Sequence, residues 1–141
     1  MQEKFRLQVK DHFDAAHFIR DYDGKCNRMH GHRWAVEVVF EGNHLDARNI
    51  LVDFGDVKRV MKSLVDKLDH FVLNEVLDEP NVTAEFLARW FFERLDDFIV
   101  DGWRIRVVRT CIWESPDCCV KYYKSPDFPP PGPPETITKG L

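Results

Sequence analysis

Phe5, Leu7 and Val9 alternate with Arg6, Gln8 and Lys10, the two-residue period of a strand with one buried face. A polar, glycine-containing stretch follows at residues 21–28. Alternation then resumes, with His32, Trp34, Val36, Val38 and Phe40 on one side and Arg33, Glu37 and Glu41 largely opposite. Glu41-Gly42-Asn43 is a turn signal. These positions predict two antiparallel strands joined by a long loop.

From Asp53 the period changes. Val57, Val60, Met61, Leu64, Val65 and Leu68 recur at steps of three and four, which predicts an amphipathic helix closing at Asp69-His70. Asp53 is its expected N-cap, and Asp56 adds favourable charge to the first turn. A second helix is expected after Pro80. Thr83 would cap it, Glu85 sits in its first turn, and Leu87, Trp90, Phe91, Leu95 and Phe98 form its apolar stripe, up to a stop at Asp101-Gly102.

Two more strands follow. The first runs from Trp103 to Glu114 and carries Ile105, Val107, Val108, Cys111, Ile112 and Trp113; after a turn at Ser115-Pro116-Asp117, residues 118–123 return. The order β-β-α-α-β-β predicts an α+β fold, an antiparallel sheet with two helices on one face. Residues 1–124 are expected to form one domain. Residues 125–141 differ, with six prolines between Pro126 and Pro134, and are expected to be an extended tail.

Composition narrows the classes of function. A chain of 141 residues with 44% hydrophobic side chains can build one core, but at this size association between subunits would help it. The net charge of −4 argues against nucleic acid as partner. The densest cationic run, Arg104, Arg106 and Arg109, is interleaved with apolar residues and reads as a solvated strand face. No apolar run approaches the ~20 residues that span a bilayer, and the first ten residues lack an apolar export signal. A cytoplasmic protein with its four cysteines reduced is the expectation.

His30-Gly31-His32 is the most informative short stretch. Residues i and i+2 of a strand point to one face, so both imidazoles can reach one ion, and the glycine between them would let the backbone approach closely. The pair also fits two polar surface side chains. As ligands they need a third from elsewhere, and His17, where the first strand ends, is the best candidate. Three imidazoles with a fourth position open suit a catalytic zinc ion. His12 and His44 lack such companions and read as surface residues. Cys118 and Cys119 are adjacent on a strand, point to opposite faces, and cannot both ligate one ion without distortion.

Other reactive groups lie near these histidines in the chain. Cys26 precedes His30 by four residues, and a thiol beside a cation can exchange protons near neutrality; alone it is also an ordinary loop cysteine. Asp69-His70 could face a cleft as a proton-transfer pair, although neighbours at a helix end rarely bond each other's side chains well. Histidine at a helix C-terminus is equally favoured by the macrodipole. Glu114 could accept paired hydrogen bonds from an amidine-like N–H edge such as that of a pterin, or be a plain strand-end glutamate.

Together these segments resemble the superfamily of 6-pyruvoyltetrahydropterin and 6-carboxytetrahydropterin synthases. The resemblance lies in Phe13-Asp14-Ala15-Ala16-His17 and Lys25-Cys26-Asn27-Arg28-Met29-His30-Gly31-His32. It continues through Val52-Asp53-Phe54, Leu68-Asp69-His70, Leu73-Asn74, Thr83-Ala84-Glu85 and Trp113-Glu114. The resemblance implies the tunnelling fold, in which subunit sheets join edge to edge into a barrel, as trimers or hexamers of stacked trimers. It implies zinc on His17, His30 and His32. Cys26 would be proton donor or acceptor, assisted by Asp69 and His70 of a neighbouring subunit. Glu114 would anchor the pterin ring, with Thr83 nearby.

The resemblance also implies a product. Three residues separate Cys26 from His30, as in carboxytetrahydropterin synthases, whereas the pyruvoyl enzymes usually have five. The expected reaction is therefore that of a zinc-dependent lyase. It converts 7,8-dihydroneopterin triphosphate to 6-carboxytetrahydropterin, acetaldehyde and triphosphate, in queuosine-type synthesis. The alternatives are the pyruvoyl product and a non-catalytic zinc or pterin-binding module. A related group has glutamate in place of the cysteine, which Cys26 argues against. Val82 departs from the proline common before Thr83, and the proline-rich tail lies outside the family pattern.

Overall fold

The computed structural model describes residues 1, 3–20, 22–99 and 105–125, with the side chains of residues 97–99 outside the description. The expected tail at 126–141, the Asp101-Gly102 stop, Trp103, Arg104 and the Phe98 side chain thus lie outside the described residues.

Strands β1 (Phe5–His17) and β2 (His30–Gly42) pair antiparallel in unbroken register from Phe5↔Gly42 to His17↔His30. Strands β3 (Ile105–Ser115) and β4 (Cys118–Tyr122) complete a sheet of order β1-β2-β3-β4. Helices α1 (Phe54–Val65), α2 (Leu73–Val76) and α3 (Ala84–Ile99) fall between β2 and β3. The expected α+β arrangement is present, with α1 and α3 packed on one face of the sheet.

Alternation decides which side chains meet the helices. Leu7, Val9, Phe13 and Ala15 of β1 lie beside Trp34, Val36, Val38 and Phe40 of β2, and all are buried in one cluster with Val57, Met61 and Leu64 of α1 and Leu87, Phe91 and Leu95 of α3. Phe13 stacks on Trp34 at 6.3 Å between ring centroids and tilts onto Phe91 at 6.1 Å. Thr110, the buried hydroxyl of β3, donates to the Ala88 carbonyl of α3 and so joins helix to sheet without an unpaired group.

Strand β3 breaks its own period. Ile105 and Val107 face the helices, and so do Thr110 and Ile112, three residues after Val107 rather than two. A bulge against Val39/Phe40 absorbs the extra residue, since Val39 pairs with Arg109 and Phe40 with Val107. A second irregularity lies between Trp113 and Ser115, at Glu114. The first bulge therefore sets which side of the sheet the even-numbered end of β3 faces.

The helix ends differ in part from expectation. Asp53 caps α1 as predicted, its carboxylate accepting from the Gly55 N–H at 2.7 Å, and the Thr83 hydroxyl accepts from the Phe86 N–H at 3.1 Å at the start of α3. However, α1 stops at Val65, and residues 66–70 form successive turns. Leu68 continues the apolar stripe because the turns still press it into the core, fully buried. His70 ends this stretch at φ 65°, a left-handed conformation unusual for a residue with a Cβ. The short α2 has too few residues to show a period and was not expected.

Phe91 fills the space between β1 and α3. Phe91→Ala should lower unfolding stability by about 3–5 kcal/mol, read as a lower urea midpoint at unchanged m-value.

Candidate metal centre and active site

The β1–β2 ladder ends with His17 opposite His30 and Ala15 opposite His32, so three imidazoles collect at one end of the sheet on its helix-bearing face. Their ring centroids are 4.5 Å (His17–His30), 5.2 Å (His17–His32) and 4.7 Å (His30–His32) apart. One ring nitrogen from each lies within 4.8 Å of the others. The structure thus brings together the three predicted ligands. Trp34, fully buried, closes the floor beneath them, with its ring 4.9 Å from His17 and its indole N–H donating to the Ala15 carbonyl at 3.2 Å.

Which nitrogen is free follows from the neighbours. His17 Nδ1 lies 2.7 Å from the Val82 carbonyl, and His30 Nδ1 lies 2.7 Å from the Arg28 carbonyl. A carbonyl only accepts, so each Nδ1 must carry a proton and, in the neutral ring, each Nε2 a lone pair. The Nε2 atoms of His17 and His32 are buried without a hydrogen-bond partner. Unpaired buried acceptors are costly and rare, and here they converge. These residues fit a metal ion such as zinc, with Nε2 as donor and, at His17 and His30, a backbone carbonyl orienting the opposite nitrogen.

Burial, first, pushes the His17 imidazole below its ordinary pKa, against the Val82 hydrogen bond; burial does the same to His32, against the pull of Glu114. Both rings are therefore held in the neutral form that ligates metal. Glu114 Oε1 sits 3.4 Å from His32 Nε2, but the nitrogen has no hydrogen-bond partner, so this is a contact rather than a bond. The carboxylate sits at the edge of the triad, against His32, with its side chain 37% exposed.

Cys26 lies in a 3-10 turn (Lys25–Asn27) of the loop between β1 and β2. Its carbonyl accepts from the Ile19 N–H at 2.8 Å, which folds the loop back onto the strand end that carries His17. Its sulfur is not part of the triad's donor set. Buried Cys111 is a different case: burial, and then contact with Cys119, pushes its thiol up to about 12, so it stays protonated.

Asp69 and His70 form a second group. Contrary to the expectation for neighbours, their side chains do bond, His70 Nδ1 to Asp69 Oδ2 at 2.9 Å, because the left-handed His70 backbone turns its ring back on Asp69. Asp69 Oδ1 accepts from the Asp14 N–H at 2.9 Å, and the His70 N–H donates to the Asp14 carbonyl at 2.6 Å. The Asp14 N–H, and then His70, hold the Asp69 carboxyl below its usual range. Asp14 points away from the helix-bearing face, so this pair sits at the strand's outer edge, apart from the triad.

Thr83 is occupied as the helix cap, and the preceding carbonyl, Val82, is the one that orients His17. Gly31 does not play its expected part: a Cβ there would meet nothing nearer than the Ala15 carbonyl at 4.0 Å, so no close backbone approach requires glycine. His12 and His44 are exposed. Sequence reasoning assigned no role to Asn74 or to the Val82 and Arg28 carbonyls, because backbone acceptors leave no mark on residue type.

Residues 6–125 match the model of the family described as 6-pyruvoyl tetrahydropterin synthase. A 6-carboxy-5,6,7,8-tetrahydropterin synthase of Synechocystis sp. is 33% identical over 105 residues, covering 70% of this chain and 81% of that protein. A dihydroneopterin monophosphate aldolase of Pyrococcus furiosus is 32% identical over 112 residues, covering 79% and 91%. The structure of Caenorhabditis elegans 6-pyruvoyl tetrahydropterin synthase superposes with a TM-score of 0.75 at 25% identity, covering 88% of this chain and 98% of that one.

The lowered imidazoles predict a pH dependence. Below about 6.5 the unfolded chain takes up protons that folded His17 and His32 resist, so the unfolded state binds more protons and stability falls as pH drops. The melting temperature of metal-free protein should therefore decrease between pH 7 and pH 5.5. The slope should be shallower in His17→Leu; an equal slope would contradict the assignment.

Proposed function

The chain belongs to the 6-pyruvoyl tetrahydropterin synthase family, and from that premise we propose that it is a 6-carboxy-5,6,7,8-tetrahydropterin synthase. Its substrate is 7,8-dihydroneopterin triphosphate; with one water entering, the products are 6-carboxytetrahydropterin, acetaldehyde and triphosphate. The reading is carried by the convergence of three histidine nitrogens within 4.8 Å, next to a loop in which three residues separate Cys26 from His30.

His17, His30 and His32 would hold zinc through Nε2. When bound, zinc supplies Lewis acidity toward the oxygens of the substrate side chain. Glu114, at the rim of the triad, accepts the paired N–H groups of the pterin ring and so fixes where the side chain lies. The Cys26 thiol takes and returns protons on that side chain. His70, oriented by Asp69 through Nδ1, is the second proton carrier, with Nε2 left to face the substrate. Thr83 lines the pterin end through its position beside Val82.

Because the Asp69–His70 pair stands apart from the triad, it serves the site of a neighbouring subunit in a homo-oligomer, a trimer or a hexamer of stacked trimers. The sheet supports this. Its outer strands offer edges that a barrel would pair. Residues 1–124 are the catalytic domain of this reading, acting in the cytoplasm. Among the described residues no helix is long and apolar enough to cross a membrane.

Zinc-loaded protein incubated with dihydroneopterin triphosphate should yield a carboxypterin and acetaldehyde by mass spectrometry. A pyruvoylpterin would overturn the product assignment. Preferential turnover of dihydroneopterin monophosphate would move the chain toward the activity named for the Pyrococcus furiosus relative. Zinc and pterin binding without turnover would leave a silent binding module. Cys26→Ala should lower kcat by about 10²–10⁴-fold, the usual contribution of a proton-transfer group, while the zinc-to-protein ratio stays unchanged.

A further inference from the structure

The outer edge of β1 is not left open near the triad. On alternate residues the backbone of its C-terminal end, and of the segment that continues it to Arg20, is bonded to residues 69–81. The His70 N–H donates to the Asp14 carbonyl, the Ala16 N–H to the Phe71 carbonyl, the Phe18 N–H to Asn74 Oδ1, and the Arg20 N–H to Asn81 Oδ1. The first two bonds come from backbone, as in a strand neighbour. The last two come from asparagine side chains, which carry the pairing on past the parallel bridge Ala16↔Val72.

Asn74 does more than pair an edge. Its Oδ1 accepts from the Phe18 N–H at 3.0 Å, and its Nδ2 donates to the Phe18 carbonyl at 2.9 Å and to the Pro80 carbonyl at 2.9 Å. The side chain is buried, and both amide protons are spent on carbonyls, so its orientation is determined: the flipped amide would set oxygen against two oxygens. One end of this clamp is the residue after His17. The other end is two residues before Val82, whose carbonyl meets His17 Nδ1.

We propose that Asn74 is a positioning residue for the triad: by tying Phe18 to Pro80 it keeps the Val82 carbonyl on His17 Nδ1, which leaves Nε2 unprotonated and aimed at His30 and His32. The proposal rests on the reading of the triad as a metal centre, which it deepens by naming what sets one ligand's tautomer. A side chain that only stabilised the fold would need no particular relation to His17. This one joins the two segments whose separation determines the His17–Val82 hydrogen bond.

The test compares Asn74→Ala and Asn74→Asp with Leu95→Ala, a buried core truncation of α3 remote from the clamp. Metal-free protein labelled with ¹⁵N-histidine reports the His17 tautomer, and chelator competition reports zinc affinity. Wild type and Leu95→Ala should show His17 as the Nδ1–H form with a slowly exchanging ring proton. Both Asn74 variants should lose that signature and bind zinc at least tenfold more weakly, the lower end of the range for residues that orient a ligand. The Asn74→Asp variant would retain the acceptor for the Phe18 N–H and lose both donors, so it decides the matter if Asn74→Ala does not fold.

Retention of the wild-type His17 signature and zinc affinity in the Asn74 variants would overturn the proposal. An equal loss in Leu95→Ala would do the same. If wild type takes up no zinc, the metal reading fails by itself, and the ring spectrum still decides the role of Asn74.

Discussion

The candidate centre depends on a carbonyl. An imidazole has two nitrogens, and the partner of one decides what the other can do. At His17 the Val82 carbonyl claims Nδ1, burial holds the ring neutral, and Nε2 is left as an unpaired acceptor inside the protein. His32 adds a second buried ring nitrogen without a hydrogen-bond partner. Each unpaired buried polar group costs a fold about 1–3 kcal/mol, so two converging ones are poor design for stability alone. They make sense as donors waiting for a cation, whose binding would offset the cost.

This arrangement requires two parts of the chain that are far apart in sequence to be held in fixed register. Strand β1 brings His17 opposite His30, while residues 69–82 run along the outer edge of the same strand and deliver Val82. The edge segment also carries Asp69 and His70, fixed to Asp14 by the backbone and carboxylate bonds described above. Thus one strand end fixes the three candidate metal ligands on its helix-bearing face and the bonded Asp69–His70 pair on its outer edge. Its opposite half, from Phe5 to His12, carries no such cover from residues 69–81.

Much of this could be read from the chain. Alternation from Phe5 and from His32 identifies the helix-facing side of β1 and β2 as far as Val38, but Val39 and Glu41, expected opposite the core, are buried too, beside the bulge and under the Arg106 ion pair. Strand β3 was harder. The step from Val107 to Thr110 looks like a loss of period, and only pairing with Val39 and Phe40 reveals a bulge. The end of α1 misled for a related reason: Leu68 keeps the helical stripe although the helix has stopped, since burial reports proximity to the core and not backbone conformation. The bond between Asp69 and His70 was hidden by the unusual φ of His70. Asn74 was legible only as part of a resemblance, because its three partners are backbone atoms of Phe18 and Pro80.

Glu114 gives the last distinction, between a structural and a catalytic metal site. A structural zinc is closed by four protein donors. Here a carboxylate comes within 3.4 Å of one ligand, His32, yet it stands outside the group of donors whose atoms lie within 4.8 Å of one another. The bulges of β3 put Glu114 on the triad's side of the sheet and leave it partly exposed there. Three converging donors with a carboxylate at their rim, not added to them, match the open kind of metal site rather than the closed one.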